Sequence, residues 1–542
     1  MQKIENIQNI EKKTMKKEDL AIPKRIRHLK DQEGITLLVL VITIIIIIIL
    51  ATITINLALG DGGLLGQAED IRDMAENSTQ TEAGKRNNLA GELADLIPFQ
   101  PHDTPEPESG GEKFEMRYGV IEIKWLQGTT NNVTNEPNDP KIKKISNGTM
   151  ELVKYNESGT TEQERWVPGT DYEYVAGTGT EDNRESKWAN ARVTINGVDS
   201  YFVWIPRYAY RIVYFKDEAS KNEYKNGTIT EEQAKEEGKL VGYSDSRGIV
   251  TAEGKRVDEI TSPSNSTKVM VSKDYFMPHP AFLDGTDNGF ENGEWDEDVE
   301  GLWIGKYDTS RKNTTDGSMI FQVQPGISCF RSTSENFIGN VYNYSKEFCI
   351  ELESHMLKNS EWGAVAYLTE STYGRNGNEV TINSNGNYIT GEAGNNIYES
   401  SNTNTNSYYT EKGGLASSTG NVYGIYDLVG GAIEYVASYY NGEDANLENG
   451  STFANVGGES TKYSTAYGSG APRYAKLYYK YGDATYETER WNKDSNEFCY
   501  KDSPFFIRGG YGNWAETTGI YGYFASSGYG NTYCTFRLAL IV

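Results

Sequence analysis

From Ile35 to Leu59 the chain carries no charged residue, and as a helix this stretch is about 37 Å long, enough to cross a hydrocarbon layer of about 30 Å. The β-branched run Ile44–Ile49 favours a strand in water. In lipid each backbone amide must be satisfied within its own segment, so the pattern predicts a transmembrane helix. Lys12, Lys13, Lys16, Lys17, Lys24, Arg25, Arg27 and Lys30 precede it and Asp61, Glu69, Asp70 and Asp73 follow, which predicts a cytoplasmic amino end and an extracellular remainder after Gly60. The apolar stretch exceeds the roughly 7–15 residues of a cleavable secretory peptide, which leaves a plain uncleaved anchor as the simple reading. Beyond it, Leu64, Leu65, Ala68, Ile71, Met74 and Ala75 recur at helical spacing, so residues 61–97 predict a stalk continuing the helix into water.

The pattern then changes. Pro98, Pro101, Pro105 and Pro107, interleaved with Asp103, Glu106, Glu108 and Gly110-Gly111, make 98–112 a stiff solvated linker. Residues 113–187 alternate strand-like runs (Tyr118–Trp125, Arg165–Val167) with Asn, Gly and Thr turns. They predict either a small β-rich region or an elaborated beginning of the domain at 188–542. The segment Arg375–Thr410 is dense in Asn, Ser, Gly and Thr, which predicts an exposed arm.

Composition narrows the functions. A chain of 542 residues exceeds one ordinary domain of roughly 100–200 residues, and 12% aromatic content is too rich for a disordered one. With 52 basic and 77 acidic side chains the formal charge is −25, a surface that repels phosphate backbones, so nucleic acid is not an expected partner. Cys329, Cys349, Cys499 and Cys534 show no zinc or redox spacing. No metal or other cofactor is expected.

The junction Glu33-Gly34-Ile35-Thr36-Leu37-Leu38, with the apolar helix behind it, resembles the amino terminus of type IV prepilins. The resemblance implies a 1–34 leader cut by a prepilin peptidase between Gly34 and Ile35, with other pilins as further partners. Val39 departs from the pattern, because most major pilins carry Glu at that fifth mature position. A minor, tip-located or simply membrane-held protein fits the departure better than a shaft subunit. The leader is long, which leaves Met15 as an alternative start.

A second set of blocks begins at Tyr201-Phe202-Val203-Trp204-Ile205-Pro206-Arg207 and continues through Gly301–Tyr307 and Met356–Tyr367 to Gly420–Val436. It closes with Phe506-Ile507-Arg508-Gly509-Gly510 and Phe536-Arg537-Leu538-Ala539-Leu540. In order and kind these resemble the formylglycine-generating-enzyme version of the C-type lectin fold. The expected fold class is therefore α+β, a transmembrane pilin-like helix followed by a lectin-like domain with much irregular structure. The oxidase members of that family hold copper with two cysteines between the last two blocks, whereas Tyr511–Thr535 contains only Cys534. His28, His102, His279 and His355 are widely spaced, and Asp427 and Glu434 read as buried scaffold. An enzyme is not expected, although an extracellular enzyme of this fold is the first rival reading.

Residues 511–535 contain Glu516 as their only charge and many tyrosines among small polar residues, the composition of adaptable recognition loops. The segment also resembles the variable region of proteins diversified by retroelements, in which template adenines are randomised. That resemblance implies a ligand-binding variable role for Tyr511, Gly512, Tyr521, Tyr523, Ala525, Ser526, Ser527, Tyr529, Asn531, Thr532, Tyr533 and Cys534, with Trp514 and Glu516 either fixed framework or encoded by other codons. The expected function is a single-pass, cell-surface, pilin-like receptor or adhesin presenting this face to an extracellular protein or glycan. A minor pilin without diversification is the second rival. Cleavage after Gly34 predicts a mature amino terminus at Ile35, read by mass spectrometry of the native protein; an intact leader contradicts it.

Overall fold

The computed structural model describes residues 118–542 apart from 179–182, 246–247, 252–255, 258–271, 285–292, 314–318, 334–336, 395–404, 469–479, 490, 511 and 513–517. The expected leader, the Gly34–Ile35 cleavage point, the span 35–59, the stalk and the linker lie outside the described residues.

Two of the sheets among the described residues carry the carboxyl-terminal segment, beside a four-stranded one that contains Tyr118–Leu126 and Tyr208–Phe215. The first has seven antiparallel strands in the order His355–Met356, Leu538–Leu540, Gly301–Gly305, Val198–Pro206, Asn190–Ile195, Gly148–Tyr155 and Trp166–Pro168. Its strand Val198–Pro206 is covered on both faces, which is why its sequence is nearly continuous in apolar residues instead of alternating. The period of two sends Phe202 and Trp204 into one core and Val203 and Ile205 into another. The second sheet is built around Ile433–Tyr440. On one side it pairs antiparallel with Phe505–Arg508, which in turn pairs with Tyr523–Ser526. On the other it pairs parallel with Thr465–Tyr467 and with Cys534–Phe536.

The helix Asn359–Glu370 is buried on every side, as its apolar residues on all faces require. Trp362 Nε1 donates to the carbonyl of Ile520 at 2.7 Å, tying this helix to the chain just before Tyr521. Gly363 lets Gly482 approach so closely that a Cβ would stand 1.9 Å from its carbonyl oxygen.

Several expectations are corrected here. The α+β class gives way to a mostly β protein. Its longest described helix, Asn359–Glu370, has 12 residues. Among the described residues no helix is long and apolar enough to cross a membrane, and the single-pass membrane location is set aside with that finding. For 113–187, where two readings were open, the strands Tyr118–Leu126 and Gly148–Tyr155 pair with Tyr208–Phe215 and Asn190–Ile195 of the chain that follows. The expected exposed arm at 375–410 is mostly buried or half-buried where it is described. Asn383 shows why: its side-chain amide donates to Ile389 O and to Asp427 Oδ1, so its polar groups find partners indoors. Gly363→Ala is expected to cost about 1–3 kcal/mol through overpacking, read as a lower urea midpoint with an unchanged slope.

Candidate functional site

The carboxyl-terminal segment stands on a buried charged frame. Arg537 is fully buried, and its Nη2 donates to Glu434 Oε1 at 2.6 Å and to Asp308 Oδ1 at 3.0 Å. Its Nε reaches both oxygens of Glu434, and its Nη1 donates to Gly305 O at 2.7 Å. One side chain thus joins the strand Ile433–Tyr440 of the second sheet to Gly301–Gly305 of the first. Asp427 extends the frame by accepting from Asn383 Nδ2 at 2.9 Å and from Gly391 N at 3.0 Å. Burial pushes the Asp427 carboxyl up to about 6, partly offset by Arg537, and holds Asp308 well above the usual carboxylate range.

Against this frame the expected ligand-contacting residues divide. Tyr511 lies outside the described residues, as do Trp514 and Glu516. Gly512 is buried, and a Cβ there would meet Asn383 O at 2.7 Å, so no side chain fits without a shift. Tyr521 is fully buried with its ring edge-on to Trp491 at 5.3 Å, and its backbone N donates to Asp494 Oδ2 at 2.9 Å. Tyr523 is buried opposite Arg508 in the sheet, with that guanidinium 5.5 Å from its ring. Ala525 and Ser526 are half-buried on the same strand. Cys534 is buried beside Tyr435, and burial pushes its thiol up to about 12. The expectation of ligand contact is therefore corrected for Gly512, Tyr521, Tyr523 and Cys534, which face the interior.

The other five form one exposed stretch. Ser527, Tyr529, Asn531, Thr532 and Tyr533 face solvent, with 51% of Tyr529 and 43% of Tyr533 accessible, enough for ring contact with a ligand. Their backbone is fixed along its length. Asn449 Nδ2 donates to Ser527 O at 2.9 Å, and Ile338 N donates to Gly528 O at 3.0 Å. The Tyr435 hydroxyl donates to Tyr529 O at 2.8 Å, and Ile433 N donates to Tyr533 O at 2.8 Å. Gly528 adopts φ +73°, and a Cβ there would stand 2.6 Å from Phe505 and 2.7 Å from Ile338, so glycine is required by both torsion and space. Asn531 is partly structural, since its Oδ1 accepts from Tyr533 N at 3.0 Å.

Phe337 and Asn449 are part of this surface and were not legible in the sequence. Phe337 places its ring 5.3 Å from that of Tyr529, and no spacing signal links residues so far apart in the chain. His279 and His355 are both buried: His279 Nδ1 accepts from Ala281 N at 3.3 Å, and His355 Nε2 meets Glu361 Oε1 at 2.8 Å. Among the described residues no three His, Cys, Asp or Glu side chains gather as a metal-holding group. No protein-family model and no curated protein matches the chain.

Removing one partner from the Arg537 frame leaves an uncompensated buried charge. Glu434→Gln is expected to destabilise the fold by about 3–5 kcal/mol, measured by urea unfolding, whereas Glu443→Gln, on the loop after the same strand, stays within about 0.5 kcal/mol.

Proposed function

We propose that this chain is a ligand-binding protein whose contact surface is the stretch 527–533, with Phe337 and Asn449 at its border, and whose exposed side chains there are the ones diversified by a retroelement. The observation that carries the reading is the division of labour within the segment. Backbone carbonyls at Ser527, Gly528, Tyr529 and Tyr533 are held by donors from other parts of the chain, while the side chains at 527, 529, 531, 532 and 533 face solvent. A fixed backbone lowers the ordering cost of binding, so the identity of the side chains sets which ligand is held. Two exposed tyrosines give broad amphipathic contact, and Ser527 and Thr532 add hydrogen-bonding groups without charge.

The ligand class is a protein or glycan surface. An overall charge of −25 disfavours strongly anionic partners, and the uncharged patch lets a neutral or basic one approach. Binding in place of catalysis is favoured by the deep burial of Cys534, the only cysteine in the segment, whose raised thiol is a poor nucleophile or ligand.

Sequencing the 3′ end of the gene across one population tests the reading. Substitutions confined to adenine positions are expected in codons 527, 529, 532 and 533, with codons 512, 521, 523 and 528 constant because their residues fill the interior or need φ > 0. Uniform codons at the exposed positions, or variation spread equally over buried ones, overturn it. In the purified protein, Tyr529→Ala and Tyr533→Ala are expected to shift stability by no more than about 0.5 kcal/mol, against about 3–5 kcal/mol for Tyr523→Ala, by urea denaturation.

A further inference from the structure

The frame beneath the exposed stretch holds more acid than base. Asp308, Asp427 and Glu434 are all buried around one guanidinium, that of Arg537, so with every carboxyl ionised two negative charges would stand unbalanced indoors. Such an excess is costly, and buried carboxyls relieve it by keeping a proton. The hydrogen bonds show where it sits. Glu434 has the charged role, since Arg537 Nε reaches its two oxygens at 3.2 and 3.0 Å and Nη2 reaches Oε1 at 2.6 Å. Asp427 is met by donors alone: Asn383 Nδ2 at 2.9 Å, Gly391 N at 3.0 Å and Asp308 N at 3.4 Å. Asp308 differs. Its Oδ1 accepts from Arg537 Nη2 at 3.0 Å, and its carboxyl is also in hydrogen-bond contact with that of Glu434. Two carboxylates have no hydrogen to offer each other, so that contact requires a proton between them.

We propose that Asp308 is a neutral acid donating its proton to Glu434, and that this shared proton is a pH-sensitive latch between the two sheets beneath the exposed stretch. Four groups face Asp308. Burial is the main force raising its carboxyl above the ordinary 3.8; Glu434 and Asp427 add to it, Arg537 opposes it, and burial keeps the nearby Cys329 thiol neutral. Loss of the proton leaves like charges in contact, where they repel strongly. Ile433 N and the Tyr435 hydroxyl, which hold Tyr533 O and Tyr529 O at 2.8 Å each, stand on either side of Glu434 in the chain. A strand displaced by that repulsion takes with it the donors that fix the exposed stretch.

Asp308→Asn tests the latch, because the amide copies a protonated carboxyl in shape, can donate to Glu434 and still accepts from Arg537. An acid raised on folding keeps its proton in the folded chain where the unfolded chain has released it, so its stabilising effect is complete below the ordinary 3.8 and is lost as pH rises through the folded value. In urea unfolding the wild-type unfolding constant is expected to grow, relative to that of Asp308→Asn, by up to about tenfold per pH unit between about pH 5 and about pH 8. A ratio constant across that range is the behaviour of an Asp308 ionised in the fold, and overturns the proposal. Amide hydrogen exchange at 527–533, corrected for its intrinsic pH dependence, is expected to quicken at alkaline pH in the wild type and not in the variant; an equal response in both overturns the latch. If the variant does not fold, 13C spectra of the wild-type protein labelled at the aspartate carboxyl decide: protonated carboxyl signals are expected at neutral pH, and a spectrum with every aspartate ionised overturns the shared proton. No arm uses a ligand, so the latch and the proposed contact surface fail independently.

Discussion

The constraint on which the rest of the structure depends is the burial of Arg537. A guanidinium cannot be left inside a protein without carboxylates and carbonyls arranged around it, and the three groups that satisfy it come from two separate stretches of chain: Gly305 and Asp308 from one, Glu434 from the other. Each lies in or next to a central strand. Satisfying the arginine therefore fixes how the strand Gly301–Gly305 of the larger sheet stands against Ile433–Tyr440 of the smaller one. The geometry of one side chain does what a disulfide does in other small folds, and the four cysteines remain free thiols.

The exposed stretch inherits its rigidity from that arrangement. Ile433 and Tyr435, the residues that hold Tyr533 and Tyr529 by their carbonyls, flank Glu434 on the same strand. The strand separates the tasks by group: the Glu434 side chain meets Arg537, while the Ile433 backbone N and the Tyr435 hydroxyl hold the chain that carries the tyrosines. Support of the exposed stretch and charge satisfaction in the interior are thus tasks of one strand. This arrangement keeps changes of side chain at 529 or 533 from disturbing the ion pairs behind them.

How much of this was legible from the residues alone varies with the physics involved. The strand runs from Tyr201 and from Gly301, and the two closing blocks around Arg508 and Arg537, could be found because apolar runs and glycine pairs leave a local mark. The pairing of 118–168 with the strands that follow could not, because it joins positions up to about a hundred residues apart. Tyrosine was the least informative residue. Tyr521 and Tyr529 look alike in composition, and only Trp491 and Asp494, brought in from elsewhere in the chain, decide that one ring goes inside. The polar stretch after Arg375 misled for a related reason: asparagine reads as a surface residue, yet Asn383 is buried because Ile389 and Asp427 meet its amide. The expectation of an α+β chain rested on a helical signal before residue 98, outside what the structure describes, and on the resemblance of the later blocks to a lectin-like domain.

The larger sheet places Leu538–Leu540 between Gly301–Gly305 and His355–Met356, so an interior strand is translated after the exposed stretch. Neither sheet is complete until the residues after that stretch have been made, since Cys534–Phe536 and Leu538–Leu540 belong to them. A frameshift anywhere in 527–533 also erases Arg537 and that interior strand, which lie downstream in the reading frame. Folding itself thereby acts as a proofreading step: only messages that keep their frame through the exposed stretch yield a protein able to display it.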